Sequence, residues 1–257
     1  MAKKPVYARY PGLKNLPVIV SGGASGIGEA IVRAYAAEGA KVGFVDIAEK
    51  EGNALAARLV KSGAKAKFIR CDVTDTQAYR AAIADFAKAH GACRVLINNA
   101  AHDQRHDWRE VTPDYWDERI AVNLKHSFFA IQAVAPGMIK AGGGSIVNFG
   151  SISWMINTGN MPAYTASKSA MHGMSRSLGR DLGKHNIRVN TLVPGWVMTK
   201  RQLDLWINDE ANAAIDAGQT LAGRVMPEDI ARMALFLGAD DSRMISGQDF
   251  IVDGGWA

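Results

Sequence analysis

The feature that most limits what this chain can fold into is a regular alternation of short apolar runs with helix-periodic stretches. Pro17–Ser21 (PVIVS) is an apolar run that ends in glycines, and residues 29–38 follow with helical periodicity, stopping at Gly39. Lys41–Asp46 (KVGFVD) reads as a second buried strand and residues 48–61 as a polar helix. Residues 66–71 read as a third strand, 75–90 as a third helix and 94–98 (RVLIN) as a fourth strand. A long helix is predicted over 113–140, ending at Gly142-Gly143-Gly144. The second half repeats the pattern: strand 145–149, helix Pro162–Gly183, strand 187–193, a helical Ala-rich stretch 200–218 and a last strand Asp249–Val252. Between the last two lies a helix over 227–237, opened by Pro227 with Glu228 and Asp229 in its first turn. Apolar strands joined by helices need right-handed crossovers and cover on both faces. The expectation is an α/β fold, a doubly wound parallel sheet of about seven strands with helices on both faces. No linker or repeat breaks the pattern, so residues 1–257 are expected to form a single domain, with 200–220 as a substrate-covering lid.

Composition narrows the partners. A net charge of +5 is compatible with a polyanion, but the basic residues are scattered, and nucleic-acid binding needs a clustered basic face. No stretch of about 18 apolar residues is present, and the N-terminal MAKKPVYARYPG lacks an apolar run or a cleavage-site pattern. A cytoplasmic protein without membrane or nucleic-acid partners is therefore expected. Cys71 and Cys93 belong to no C-x-x-C pair and are expected as buried reduced thiols. No metal site is expected, because neither His102 nor His106 has a second ligand pattern beside it.

The run Ser21-Gly22-Gly23-Ala24-Ser25-Gly26-Ile27-Gly28 follows the first strand and opens the first helix. Gly22 permits a tight turn, Gly26 lets the backbone approach a pyrophosphate, and Gly28 allows close packing of helix on strand. The helix N-terminus offers free N–H groups and a positive dipole, so this run predicts a dinucleotide site of Rossmann type. Asp46 ends the second strand, 18 residues beyond Gly28. A carboxylate there accepts from the adenosine ribose hydroxyls and repels a 2′-phosphate, which predicts NAD rather than NADP.

Tyr164 and Lys168 stand four apart on a predicted helix and share one face. An ammonium near the phenol favours phenolate, the tuning that a general base for a hydroxyl proton requires. Alone, a Y-x-x-x-K spacing also arises by chance on surface helices.

The company of these motifs resembles the short-chain dehydrogenase/reductase family, whose glycine loop is written T-G-x-x-x-G-x-G; Ser21 stands in the Thr place. The resemblance runs from about Leu13 to Trp256. It implies that Ser151, 13 residues before Tyr164 in Asn148-Phe149-Gly150-Ser151, hydrogen-bonds the substrate oxygen; Ser153 is the rival serine. It implies that Asn123, inside an apolar helical stretch, completes a tetrad by holding a water in a proton relay to Lys168. For the cofactor it implies contacts from Ser25 and Ile27, Asp72 and Val73 beside adenine, and Asn99 and Ala100 after the fourth strand. Ala101 departs from the family's usual Gly. Pro194-Gly195, the Val197 backbone and the Thr199 hydroxyl would cover and hold the nicotinamide, and Lys168 its ribose. Members of the family are mostly tetramers, so a homotetramer is expected, paired through the helices of Asn123 and Tyr164 and the C-terminal strand.

Finer segments are similar to the bacterial sugar 1-dehydrogenases of that family, which oxidise pentoses such as arabinose or xylose. They include Tyr115-Trp116-Asp117-Glu118-Arg119-Ile120, Ala133-Val134-Ala135-Pro136-Gly137-Met138, Thr199-Lys200-Arg201-Gln202 and Arg105-His106. The loops expected around Tyr164 are polar with one flat aromatic, which suits a sugar. Substrate contacts are expected from His102, Arg105, Ser151, Trp154, Asn157, Tyr164 and Lys200. The implied reaction is oxidation of an aldose C1 hydroxyl to the aldonolactone, with NAD as acceptor. A 3-oxoacyl thioester or ketone reductase shares every catalytic motif and stays open, and a non-catalytic NAD-binding sensor is the alternative of another class.

Overall fold

The computed structural model describes residues 6–257. Its seven strands are β1 (Pro17–Ser21), β2 (Lys41–Asp46), β3 (Lys65–Arg70), β4 (Val95–Asn98), β5 (Gly144–Phe149), β6 (Ile187–Pro194) and β7 (Asp249–Val252). Four helices cover the first half of the chain: α1 (Gly26–Ala37), α2 (Glu49–Lys61), α3 (Thr76–His90) and α4 (Pro113–Ile120). Five follow: α5 (His126–Lys140), α6 (Pro162–Gly183), α7 (Lys200–Leu205), α8 (Asp209–Gly218) and α9 (Pro227–Gly238).

Every strand pair is parallel, in the order β3-β2-β1-β4-β5-β6-β7. Strands buried on both faces must be apolar throughout, and β1 and β4 are buried at every position. The two-residue period of β1 then divides its side chains between two cores. Val18 and Val20 join Ile31, Val32 and Ile230 under α1 and α9, whereas Ile19 joins Ile83, Leu96 and Ile131 under α3 and α5. Tyr35 Oη donates to the Ala234 carbonyl at 2.7 Å and ties α1 to α9.

The chain winds outward from β1 to β3 on one side and from β4 to β7 on the other. The loops leaving the carboxyl ends of β1 and β4 therefore part at the centre of the sheet, and such a switch point opens a crevice for ligand.

Three sequence expectations are corrected. Helix α1 starts at Gly26, not at residue 29, because its first turn is built from the same glycines that read as a loop. The helix expected over 113–140 is interrupted by a π-turn at Ala121–Lys125 that carries Asn123. The stretch 200–218 is two helices, broken after α7; Asn208 Oδ1 then accepts from Ala211 N at 2.8 Å and caps α8. Cys71 and Cys93 are buried and unbridged, as expected. No helix among the described residues is long and apolar enough to cross a membrane.

Candidate active site

The glycine loop is held open by its neighbours. Asp46, at the end of β2, accepts from Ala24 N through Oδ2 and from Ala48 N through Oδ1, each at 3.0 Å. Ser25 is the α1 N-cap, yet its side chain makes no capping bond, so the first-turn N–H groups at Gly26, Ile27 and Gly28 stay available. Gly22 and Gly26 have φ of +66° and +55°, and a Cβ on Gly28 would stand 1.8 Å from the Gly22 carbonyl oxygen. Open N–H groups and a backbone free of side chains fit a pyrophosphate. The Ser21 hydroxyl accepts from Asn99 N and Ala100 N, both at 3.1 Å, while Asn99 Nδ2 donates to the Ser21 and Gly22 carbonyls at 3.0 Å. This zips the turn after β4 to the turn after β1 and explains why a hydroxyl is kept at residue 21. Ala101 is exposed with no positive φ, so its methyl replaces hydrogen without strain.

Asp72 folds its carboxylate back on Thr74 N and Oγ1 at 2.9 and 2.8 Å, with Val73 buried beside it. Pro194 ends β6. Gly195 follows where a Cβ would meet Asp253 Cβ at 2.5 Å, so only glycine passes. Val197 pairs with Val225, and Thr199 lies against Gly26, its methyl 3.3 Å from where a Cβ there would be. The Thr199 hydroxyl also caps α7 by accepting from Gln202 N at 3.3 Å. The segments expected to hold phosphate and nicotinamide thus converge on one crevice.

Ser151, at the end of β5, and Tyr164 and Lys168, on α6, meet at the carboxyl edge of the sheet. Ser151 Oγ accepts from Ser153 N at 3.1 Å and lies near enough to the Tyr164 phenol to pull its pKa down. Ser153 itself is buried with no partner for its hydroxyl among the described residues. Lys168 is buried; its Nζ lies 5.6 Å from the Tyr164 ring centroid and donates to the Phe149 carbonyl at 2.9 Å. Burial pushes the Lys168 ammonium down to about 8. The phenol of Tyr164 is pushed up, by burial first and by the Asp103 carboxylate second, against the opposing pull of Ser151 and Arg105. The expected lowering of the Tyr164 pKa by the nearby Lys168 is not seen in the free chain, where desolvation dominates.

Asn123 is fully buried and bonds one residue twice. Its Oδ1 accepts from His102 N at 2.8 Å, and its Nδ2 donates to the His102 carbonyl at 3.2 Å. The π-turn aims this amide at the loop after β4, as such turns often do at functional sites. His102 is occupied on every side: Arg119 contacts Nδ1, Arg201 Nη2 lies 3.5 Å from Nε2, and burial and these cations lower its pKa. Asp103, next along, accepts from Arg201 Nε at 3.1 Å and from Gln202 Nε2 at 2.6 Å. Gln202 Oε1 in turn accepts from Trp196 Nε1 at 2.9 Å, so α7 is tied both to the loop after β4 and to the turn after β6.

Of the expected substrate contacts, Arg105 is in the cleft, with its guanidinium carbon 5.4 Å from the Trp206 ring centroid. Three others are placed elsewhere. Lys200 is 87% exposed and pairs with Asp204 at 2.6 Å, on the outer face of α7. Trp154 packs edge-on against His172, donating to its Nε2 at 3.2 Å, and so leans along α6 beyond Lys168. Asn157 is exposed with φ of +56°, a turn position that favours Asn. Sequence reasoning missed Trp196, Trp206, Arg201 and Gln202.

A crevice at a sheet's switch point, a glycine loop at a helix N-terminus and a Ser-Tyr-Lys cluster beside it define a dinucleotide-dependent oxidoreductase. The chain belongs to the short-chain dehydrogenase/reductase family. Residues 22–257 match the family described as Enoyl-(Acyl carrier protein) reductase. It is 45% identical over 249 residues to D-xylose 1-dehydrogenase of Caulobacter vibrioides, covering 97% of this chain and 98% of that one. It is 43% identical over 249 residues to "Probable galactose dehydrogenase GalD" of Rhizobium meliloti, covering 96% and 97%. A 7α-hydroxysteroid dehydrogenase solved with NADH and 7-oxo glycochenodeoxycholic acid superposes with a TM-score of 0.91 at 30% identity, over 95% of each chain. A blue fluorescent protein from a metagenomic library, solved with NADPH, superposes with a TM-score of 0.88 at 34% identity, over 95% of this chain and 99% of that one.

Proposed function

We propose that this chain is an NAD-dependent aldose 1-dehydrogenase that oxidises the C1 hydroxyl of a pentose such as D-xylose or L-arabinose to the aldonolactone. The convergence of Ser151, Tyr164 and Lys168 beside the glycine-loop crevice carries the reading, and the two sugar dehydrogenases among the relatives support its substrate. The dinucleotide supplies the hydride acceptor and, when oxidised, a positively charged ring. Tyr164 takes the C1 hydroxyl proton, and Ser151 holds the substrate oxygen. Lys168 contributes a cation next to the phenol and a donor for the nicotinamide ribose. Asn123 fixes the loop that carries His102, Asp103 and Arg105. Burial raises the Tyr164 pKa in the free chain, so its work as a base would draw on nearby positive charge, which Lys168 supplies and an oxidised nicotinamide would add when bound.

NAD is preferred over NADP because Asp46 places its carboxylate at the lip of the glycine loop, where a 2′-phosphate would meet it. The test is NAD reduction measured over pentoses, hexoses and simple secondary alcohols, with Tyr164→Phe alongside. Turnover on pentoses, lost in Tyr164→Phe with NADH binding retained, is the expected result; full activity in that variant would remove Tyr164 from the reaction.

A homotetramer is part of the same reading. Trp116 on α4, Phe128 on α5 and Ile251 on the edge strand β7 are apolar side chains 39–42% exposed, on the surfaces expected to pair. Light scattering coupled to size exclusion should return four times the 27.6 kDa chain mass, and a monomer would refute it.

A further inference from the structure

Beside Tyr164 the cleft holds a cation whose hydrogen-bonding capacity is largely unspent. Arg105 rises from the loop after β4 with its guanidinium carbon 6.0 Å from the Trp196 ring centroid and 5.4 Å from that of Trp206. One Nη donates to Met161 Sδ at 3.0 Å, and a thioether is a weak acceptor. The remaining donors of the fork have no acceptor among the described residues, and Asp103, whose charge Arg105 feels, is already taken by Arg201 and Gln202. Two indoles thus hold a half-buried guanidinium still, leaving its fork free to read a ligand.

The position of Arg105 relates it to the reaction. Met161 immediately precedes α6, three residues before Tyr164, and the Arg105 charge is one of those that act on the Tyr164 phenol. Trp196 follows the Pro194-Gly195 turn on the cofactor side. A substrate with its C1 hydroxyl at Tyr164 has its body against Arg105.

A free guanidinium fork suits either an anion or two adjacent hydroxyl oxygens. The aldose reading decides between them, because a sugar oxidised at C1 presents adjacent hydroxyls on its other carbons. Such a pair can accept from two N–H groups of the Arg105 fork. We infer that Arg105, steadied between Trp196 and Trp206, is the specificity-determining residue of the site and grips two adjacent hydroxyls of a neutral sugar, remote from C1. The inference rests on the aldose 1-dehydrogenase reading and adds to it which residue selects the sugar and through which of its groups.

The experiment compares kcat/KM for D-xylose, its monodeoxy derivatives lacking one hydroxyl each, a hexuronate and an aldose phosphate, in the parent and in Arg105→Met and Arg105→Lys. For the parent, loss of a gripped hydroxyl should cost about 10- to 100-fold, the range for hydrogen bonds to a charged group. Arg105→Met, which fills the space between the indoles, should lose activity on D-xylose by a similar factor, mostly in KM. It should also flatten the gripped-hydroxyl penalty to under about threefold, and Arg105→Lys should restore only part, lacking the fork. Penalties that persist unchanged in Arg105→Met would make Arg105 a brace for α7 and overturn the inference. A parent that prefers the hexuronate or the phosphate would overturn it in favour of an anion site. A parent that oxidises no aldose, while still binding NADH by fluorescence, would instead remove the reading on which the inference rests.

Discussion

Lys168→Met should make the free protein more stable at neutral pH while abolishing its activity. The ammonium is 2% exposed, has one hydrogen bond, to the Phe149 carbonyl, and is pushed by burial from 10.5 down to about 8. At about 1.4 kcal/mol per pKa unit, burying that charge costs about 3 kcal/mol. Methionine removes the charge and fills the same volume, but it strips the Phe149 carbonyl of its donor, which returns about 1–2 kcal/mol of the gain. The net is a stabilisation of about 1–2 kcal/mol, or a rise in Tm of about 2–6 °C for a chain of this size. The pH dependence is the sharper signature. The folded pKa lies below the unfolded one, so the unfolded chain binds the proton more tightly and the wild type is penalised fully below pH 8. That penalty fades as pH rises from 8 to 10.5, so the variant's advantage should be largest near neutrality and shrink toward about pH 10. Thermal melts of both proteins in the absence of cofactor, followed by circular dichroism across that window, measure the difference. A Tm gap that does not change with pH would refute the argument, whatever its size. Turnover in the same variant should fall by at least about a hundredfold, the contribution typical of a group that tunes a general base.

Two further substitutions probe the scaffold and the cofactor. Asn123→Ala leaves the His102 N–H and carbonyl buried without partners, at about 1–3 kcal/mol each. It should lower Tm by several degrees and raise the sugar KM; unchanged melting and kinetics would show the π-turn amide to be dispensable. Asp46→Asn removes the charge and one acceptor from the lip of the glycine loop. The ratio of kcat/KM for NAD over NADP should drop by about tenfold or more, and a ratio left unchanged would take Asp46 out of cofactor choice.

Most of the architecture was legible because it depends on backbone rules. Apolar strands buried on both faces allow one arrangement with helical crossovers, and β2, α6 and β7 have the bounds read from the residues alone. The errors have local causes. A helix whose first turn is glycine looks like a loop, and a π-turn inserts a residue without disturbing the apolar periodicity on either side of Asn123. The glycine positions of the expected cofactor crevice were legible for the same reason. Gly22, Gly28 and Gly195 are required by close backbone approach, and such requirements mark the sequence wherever the fold recurs.

The region expected to hold substrate follows different physics. Its side chains come from the loop after β4, the turn after β6 and α7, and each points where the tertiary packing of the others sends it. Trp154 was the aromatic nearest Ser151 in the chain, yet His172 on the next turn of α6 after Lys168 claims its indole. Trp196 and Trp206, rather than Trp154, flank Arg105; Gln202 fixes Trp196 from one side, and the guanidinium carbon lies 6.0 and 5.4 Å from the two ring centroids. Lys200 and Arg201 are adjacent cations, but α7 has only one face toward the crevice, so Arg201 reaches Asp103 while Lys200 turns to Asp204. Periodicity distinguishes the two faces of a helix; it does not say which face the cleft will take. That choice depends on Asp103, whose carboxylate accepts from Arg201 and Gln202 and also acts on Tyr164. A substitution on α7 that frees Asp103 should therefore alter both the hold on the loop after β4 and the field at the Tyr164 phenol.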